Sequence, residues 1–519
     1  MKKLVRDNYE LILITLSLFI GSAATIWAYS NNYINAYADG VSHLNIARRV
    51  TDNLQPGIVQ LGGSWLPFYH IVLLPLVQID YLWHSGLAGS VINVICYVLS
   101  AVIFYRTIRI ITENKVLSFL GAIAFILTPD VIYMATAPMT EVFTIYLLMS
   151  AFYYLLIWST QASRINLIFA SFFVFCAVLT RYEAWAFAIA SIVIVSLVTL
   201  KRTKKLKYVE STVIIYALPI AFALLIWIGW NYVIFGHPLY FTQGNFSSRA
   251  YQIPLEQSGN LPTSHNITNS FWYYLQALIM TNGALYTWTS LIGFMLYYLY
   301  KSRFRSEKYW VLVTLAAPIG FEMLALYTGS TALWLPHLFP YKMYNIRYGL
   351  YGSPFVFIFL ALFFSHFKKA GLWLFGILIS VQLALFSFSG LPISLDDALV
   401  GRTEPNGRSV IAGADYIKLH YEGGLILAPA GALDPFIFAT GLPIKTFITE
   451  GVRQEWDSSL VDPRGNAEWI VLTDPKDGNN LRDGIQRVVR SKSNFFDGYT
   501  KVFDEGAVLI YRRDKEVAD

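Results

Sequence analysis

Long apolar runs recur along the first three quarters of the chain, and most are close to the length that a helix needs to cross a bilayer. They lie near 9–30, 87–105, 116–128, 142–159, 166–180, 184–200, 211–233, 283–300, 309–328, 349–365 and 371–389. A crossing takes about 20 helical residues, somewhat fewer in short buried spans. Of the 519 residues 55% are hydrophobic, and the mean hydropathy is +0.49. A soluble domain could not bury so much apolar surface, so we expect a mainly α, polytopic membrane bundle of about 11 spans.

Basic residues indicate the orientation of this bundle. Of the 24 Lys and Arg before residue 390, 18 fall in segments predicted to be cytoplasmic, as the positive-inside rule requires. These are Lys2, Lys3, Arg6, Arg106, Arg109, Lys115, Arg164, Lys201, Arg202, Lys204, Lys205, Lys207, Lys301, Arg303, Arg305, Lys308, Lys368 and Lys369. The N-terminus is therefore predicted in the cytoplasm, and an odd number of spans places the C-terminus outside. The six outward cations, Arg48, Arg49, Arg181, Arg249, Lys342 and Arg347, are most economically explained by an anionic ligand.

The composition shifts near residue 390. The last 130 residues carry 15 Lys and Arg against 20 Asp and Glu. GLILAPA, AEWIVLTD and GAVLIYRR are typical of short buried strands, whereas GRSVIAGADYIKLHY and NLRDGIQRVVRS are typical of helices. We therefore expect a transmembrane domain over 1–389, with outward loops 31–86 and 234–282, and a small extracytoplasmic α/β domain over 390–519. Within the second loop, residues 251–266 are predicted to be irregular and are a candidate lid.

Asp39 lies a few residues beyond the first apolar run, with His43, Arg48 and Arg49 nearby. A carboxylate at this boundary lies where a lipid head group and a soluble acceptor can meet. We therefore take Asp39 as the centre of a candidate active site. An equally good interpretation is that Asp39 caps a helix beginning at Gly40, since Asp is a favoured N-cap residue. The two roles are compatible.

Two further patches lie at predicted span ends. Glu141 stands at the outer mouth of the fourth span and Asp130 at the end of the third. An acid in a first helical turn also has an ordinary structural explanation. Arg181 and Glu183 separate two apolar runs, and a purely structural pair is the favoured interpretation there.

The last patch, TALWLPHLFPYKMYNIRYGLYGSP, precedes the tenth span and includes His337 as a secondary candidate. An interfacial aromatic belt accounts for its tyrosines without any function. A guanidinium matches the geometry of phosphate oxygens, so Arg347 is the first choice for a phosphate clamp, with Lys342 as a second charge. Glu322 is an ionisable group at membrane depth, either functional or paired with Arg347 or Arg181.

The order of these pieces resembles the membrane glycosyltransferases of the GT-C superfamily. The resemblance is strongest to the branch of the protein O-mannosyltransferases and the lipid A aminoarabinose transferase, and it covers roughly residues 9–389. It comprises an acid in the first outward loop, short third and fourth spans with a second acid, the LTRYE turn and the late YNIRYGLY segment. The tail lacks a WWDYG sequence, which counts against an oligosaccharyltransferase.

The resemblance implies that a sugar passes with inversion from a polyprenyl-phosphate donor to a hydroxyl of a protein, lipid or glycan on the non-cytoplasmic face. Asp39 would act as the base, Glu141 would be the second acid, and Arg347, with Lys342 and Arg181, would hold the donor phosphate. The family pattern often has an adjacent acidic pair where this chain has Asp39 and Gly40, so a divalent metal is left open. The expected partners are the donor, membrane lipid and the acceptor, with no nucleic acid.

Two other functions remain open from the sequence. A transporter or flippase for a lipid-linked or anionic substrate would place ionisable residues near the midplane and show two related halves. This chain clusters its charges at one face and shows no such repeat. A non-catalytic protein that binds lipid-linked glycan and scaffolds assembly is the other alternative.

Overall fold

The computed structural model describes residues 8–299, 306–474, 483–492 and 494–514. The chain divides into two compact units: Met1–Tyr33, Ser90–Trp230 and Gln252–Asp397 form the first, and Ile34–Gly89, Asn231–Tyr251 and Ala398–Asp519 the second. Residues 252–282 of the second predicted loop belong to the first unit. Lys2, Lys3, Arg6, Lys301, Arg303 and Arg305, which the orientation prediction uses, lie outside the described residues, as do 480–482 of a predicted tail helix.

The described residues are mainly helical. The helices are α1 Asn8–Ser30, α2 Ala38–Arg49, α3 Phe68–Val77, α4 Asp80–Ser85, α5 Leu87–Thr112, α6 Lys115–Ile126, α7 Pro129–Thr136, α8 Glu141–Gln161, α9 Arg164–Val178, α10 Glu183–Thr203, α11 Leu206–Phe235, α12 Tyr240–Gln243, α13 Ser248–Gln257, α14 Ile267–Asn282, α15 Ala284–Leu299, α16 Lys308–Val311, α17 Ala317–Tyr327, α18 Ser353–Phe364, α19 Lys368–Phe388, α20 Ile393–Thr403, α21 Pro405–His420, α22 Ala430–Thr440, α23 Arg453–Val461 and α24 Gly484–Val489. Short 3₁₀ helices occupy Ile58–Leu61, Leu312–Ala316, Ile346–Gly352, Ser365–Phe367, Ile444–Thr446 and Pro463–Gly465.

The apolar runs predicted to span the membrane all fall on helices. Within the described residues, however, 7 helices are long and apolar enough to cross, or 8 if the pair α6 and α7, bent by 61°, is one span. The predicted number of about 11 is therefore not confirmed. The difference arises because α9 and α15 are short, with 15 and 16 residues. In addition, two predicted spans fall within the single helical stretch Ile346–Thr403.

Helix α18 is the most enclosed helix of the first unit. Eleven of its 12 residues are buried, which is expected of a helix that is apolar on every side. Gly293 of α15 allows one close approach to it, since a Cβ there would lie 2.4 Å from the Phe359 carbonyl oxygen. Helix α18 packs against α15, α6 and the 3₁₀ helix Ile346–Gly352.

The second unit contains a five-stranded sheet in the order β2-β1-β3-β5-β4. The strands are β1 Ile426–Leu427, β2 Phe447–Ile448, β3 Trp469–Thr473, β4 Tyr499–Glu505 and β5 Val508–Arg513. β1 pairs in parallel with β2 and β3, whereas β5 pairs antiparallel with β3 and β4. The three strands predicted from the sequence are present, and β2 and β4 are additional. The predicted α/β character of the tail is thus confirmed.

The segment predicted to be irregular is partly helical. Residues up to Gln257 continue α13, although Pro254 lies inside this helix. Proline removes one backbone donor and usually kinks or breaks a helix, and α13 ends three residues after Pro254. The remaining residues, 258–266, form turns before α14 begins at Ile267.

Candidate functional site

Glu141 and Arg347 form a buried ion pair in the first unit. Nε of Arg347 donates to Oε1 of Glu141 at 3.1 Å, and the side chains are 4% and 0% exposed. Glu141 is the first residue of α8, and Arg347 lies in the 3₁₀ helix Ile346–Gly352, which packs against α8. Two residues that the sequence placed in separate patches thus share one ion pair.

Arg181 and Glu183 form a second ion pair in this unit. Nη2 of Arg181 donates to Oε1 of Glu183 at 2.6 Å, and Nε donates to Oε2 at 3.2 Å. Glu183 begins α10, which packs against α17, and Glu322 of α17 is hydrogen-bonded to the Glu183 carboxyl. Arg181, rather than Arg347, is thus the cation beside Glu322. The pairing of Arg181 with Glu183 that the sequence favoured is present.

Two tyrosines join the pairs. The Arg181 guanidinium lies over the rings of Tyr348 and Tyr351, with Cζ 5.3 and 5.0 Å from their centroids. The Arg347 guanidinium also lies over Tyr348, with Cζ 5.1 Å from the ring centroid. Aromatic faces attract guanidinium groups, and more strongly when both are desolvated. An interfacial belt therefore does not describe these two tyrosines, which belong to the buried charge cluster of Glu141, Arg181, Glu183, Glu322 and Arg347.

Three buried polar atoms of this cluster have no hydrogen-bond partner among the described residues. They are Oε2 of Glu141, Oε1 of Glu322 and the hydroxyl of Tyr351. Leaving such groups unpaired costs about 1–3 kcal/mol each. Unsatisfied acceptors beside two guanidinium groups are typical of a site that binds a ligand.

Asp39 belongs to the second unit and lies in the first turn of α2. The helix begins at Ala38 with Tyr37 as its N-cap residue, and Tyr37 makes no side-chain cap. The prediction that Asp39 caps a helix starting at Gly40 is therefore wrong by two positions. Asp39 is instead the second helical residue and half-buried, where the N-terminal helix dipole stabilises a carboxylate.

The basic residues of α2 have carboxylate partners within the second unit. Arg48 donates to Asp52 at 3.0 Å and to Asp80 at 2.6 Å. Nη2 of Arg49 donates to both carboxylate oxygens of Asp434, at 2.9 and 2.8 Å. With Arg181 and Arg347, four of the six cations that were predicted to face outward are thus paired inside the protein. An anionic ligand is not needed to explain those four.

The remaining candidates lie in different surroundings. His43 is buried, and its Nδ1 lies 2.8 Å from Nε2 of His70, a residue that the sequence did not single out. His337 and Lys342 are exposed in the segment between α17 and the 3₁₀ helix of Arg347. Asp434 and His70 were missed because neither stands in a motif; only their distant partners give them a role.

The residues present do not fit a closed metal site. Across the described part of the chain, no group of three or more His, Cys, Asp or Glu side chains is arranged to hold a metal ion. The histidine pair supplies only two ligands. No metal ion is therefore assigned a role in the proposed reaction.

The membrane-length helices of the described residues indicate an integral, multi-pass membrane protein. No family model and no curated protein matches the chain. The chain does match several solved structures. The Archaeoglobus fulgidus oligosaccharyltransferase with zinc and sulfate matches 97% of this chain and 73% of its own, at 12% identity and a TM-score of 0.54.

Two further structures extend the comparison. Archaeal oligosaccharyltransferase AglB from A. fulgidus, with an inhibitory peptide and a dolichol-phosphate, matches 98% of this chain and 75% of its own (12% identity, TM-score 0.53). ArnT from Cupriavidus metallidurans in the apo state matches 96% of this chain and 97% of its own (13% identity, TM-score 0.50). AglB and ArnT are GT-C glycosyltransferases, so the resemblance found in the sequence is confirmed for the fold.

Proposed function

We propose that this protein transfers a sugar, a hexose or pentose, from a polyprenyl-phosphate donor to a hydroxyl acceptor, with inversion. The observation that carries the proposal is the likeness of fold, over 96–98% of the chain, to AglB oligosaccharyltransferase and ArnT. One AglB structure contains a dolichol-phosphate, which is a polyprenyl phosphate. A similar fold, with cations at its outward side, suits the same class of donor.

Asp39 is the proposed base. A hydroxyl that attacks the anomeric carbon must lose its proton, and a positioned carboxylate contributes about 10²–10⁴ to the rate. Asp39 is half-buried in the first turn of α2. Inverting glycoside chemistry uses one carboxylate as the base on the face of the sugar opposite the leaving group.

The buried charge cluster is the proposed contact for the leaving phosphate. Phosphate needs no general acid to depart, but its developing charge is stabilised by fixed cations. Glu141 and Tyr348 hold the Arg347 guanidinium in place, and Glu183 and Tyr351 hold that of Arg181. Orientation before the donor arrives reduces the cost of reorganisation. Lys342 is a further, exposed positive charge.

The proposed orientation of the protein in the membrane rests on the distribution of its basic residues. The proposal places the N-terminus in the cytoplasm and the C-terminal residues on the extracytoplasmic side, where donor and acceptor meet. The acceptor is a hydroxyl of a protein, a lipid or a glycan.

The test uses purified full-length protein, a panel of polyprenyl-phosphate sugars and hydroxyl acceptors, with release of polyprenyl phosphate as the measurement. Asp39→Asn should lower transfer by about 10²–10⁴ while donor binding is unchanged, since only proton abstraction is lost. Asp80→Asn is the matched control, because Asp80 lies in the same unit, is 73% exposed and pairs with Arg48. It should retain activity.

The outcomes separate the proposal from its rivals. Full transfer by Asp39→Asn would exclude Asp39 as the base. A folded wild-type protein that moves labelled donor across a liposome membrane, yet releases no polyprenyl phosphate, would instead indicate a flippase. Binding of donor without transfer or movement would indicate a scaffold.

A further inference from the structure

The second unit encloses a cavity of about 210 Å³ that the proposed chemistry does not use. It is lined by α2, by residues 59–65, by residues between 234 and 246, by the start of α22 and by residues 450–453. These segments are far apart in sequence yet belong to one compact unit. The volume suits one ring-sized group rather than a chain.

Aromatic rings form much of the wall, and two glycines make room for them. A Cβ on Gly63 would lie 2.2 Å from the ring of Phe235, and a Cβ on Gly431 would lie 2.2 Å from that of Phe246. The Phe235 ring stacks on Tyr240, with centroids 4.1 Å apart and planes at 3°. Broad aromatic faces at a small cavity favour a ring that also has an apolar face.

The charges of the cavity are already balanced within the protein. Arg49 is held by Asp434, and Arg453 donates to the Ile234 carbonyl. Glu450 accepts the Ala430 N–H at 2.9 Å through Oε2. An acyl chain would leave these four charged groups against an apolar ligand, so it is a poor occupant of the cavity.

A neutral ligand rich in hydroxyl groups fits these walls. Oε1 of Glu450 is shielded from solvent and accepts no hydrogen bond within the described residues. Ser42 and Gln60 also line the cavity beside the aromatic rings. The Ser42 hydroxyl is hydrogen-bonded to Asp434, and the Gln60 amide N–H groups donate to the Gln55 and Gly451 carbonyls, so the walls offer mainly acceptor oxygens. Acceptor oxygens beside an apolar face suit the hydroxyl donors and the apolar ring face of a sugar.

We propose that this cavity binds one sugar residue of the acceptor, which makes the acceptor a glycan or glycolipid. The inference rests on the proposed transferase function. The sugar ring packs on the aromatic wall, and its hydroxyl groups bond to the carboxylates and to Gln60. The acceptor is thereby held through a sugar residue that does not itself react.

Two neighbouring residues supply a matched pair of variants. Val59 lines the cavity and is 46% exposed, whereas Ile58 is 63% exposed and does not line it. Val59→Trp should fill the entrance without disturbing the core, and Ile58→Trp adds the same ring next to it. Glu450→Gln keeps the shape of the side chain and replaces one acceptor oxygen by a donor.

The binding experiment uses full-length protein in phosphatidylcholine nanodiscs, free of sugar detergents, with methyl glucoside, galactoside and mannoside as probes. Saturation-transfer NMR should detect at least one of them with wild type and with Ile58→Trp. Affinity should fall about tenfold or more with Val59→Trp, and several-fold with Glu450→Gln. Absence of binding by wild type, or equal binding by Val59→Trp, would overturn the inference.

A transfer assay identifies the source of the sugar. Val59→Trp should raise KM for the acceptor about tenfold, with kcat and donor affinity unchanged. A loss of donor affinity in Val59→Trp instead would assign the cavity to the donor sugar. If Val59→Trp impaired transfer to a serine peptide equally, the assignment of the cavity to a sugar would be overturned. If the probes bind but no donor is consumed, the proposed function fails while the binding site stands.

Discussion

Breaking the ion pair of Glu141 and Arg347 should destabilise the protein strongly, whereas replacing both partners should not. Both side chains are almost fully buried, and Oε2 of Glu141 has no other partner among the described residues. Arg347→Met therefore leaves a buried carboxylate uncompensated, which costs about 3–5 kcal/mol. Loss of the contact with Tyr348 adds about 0.5–2 kcal/mol. The helix dipole at the start of α8 offsets about 0.3–1 kcal/mol.

The double variant Glu141→Gln, Arg347→Met should recover most of this loss. Buried ion pairs replaced by uncharged side chains of similar volume are often neutral in stability. We expect a coupling free energy of at least about 2 kcal/mol between the two positions, at the upper end of that found for residues in contact. The measurement is thermal unfolding in nanodiscs, followed by intrinsic fluorescence, with all four variants at one pH.

Lys418→Met is the control, since Lys418 and Asp415 form an ion pair that is half-exposed. Its loss should change the stability by less than about 1 kcal/mol. If Arg347→Met unfolds at the same temperature as this control, the pair contributes no more than a surface pair. If the double variant is as unstable as the two single changes together, the positions are not coupled, and the reasoning from burial is refuted.

Three further predictions follow from the same features. Burial raises the pKa of Glu450 from its ordinary 4.5 to about 7. The folded state therefore holds the Glu450 proton more tightly than the unfolded state does. The free energy of unfolding should fall by about 3 kcal/mol as the pH rises from 4.5 to 7. Glu450→Gln should remove this part of the slope in a Tm-versus-pH profile. Glu322→Gln should change stability by less than about 1 kcal/mol because Glu183 still balances Arg181, whereas Glu183→Gln should cost about 3–5 kcal/mol; equal Tm shifts would contradict this. Single cysteines at 201–207 and in the tail should react with an impermeant label from opposite sides of the membrane, and labelling from the same side would refute the orientation.

The sequence determined the helical fold because apolar length is a local property. Every predicted span falls on a helix, and the three predicted strands of the tail are present. Helix length was less well predicted, since α9 and α15 are shorter than a usual span and α6 and α7 are bent. The helix through Pro254 was missed because proline is read as a break, yet α13 continues for three residues beyond it.

The sequence also singled out Glu141, Arg181, Glu183, Glu322 and Arg347 as charges that are either paired or functional. The reason is that a charge in or beside an apolar run is otherwise costly. Apart from the local pair of Arg181 and Glu183, which the sequence favoured, the partner of each charge was decided only by the tertiary structure. Glu141 and Arg347 are 206 residues apart, and Arg49 and Asp434 are 385 apart. Hydrophobic periodicity describes a helix and its faces, but it carries no information about which distant face packs against it. The pairings, and the cavity of the second unit, therefore arise from packing alone.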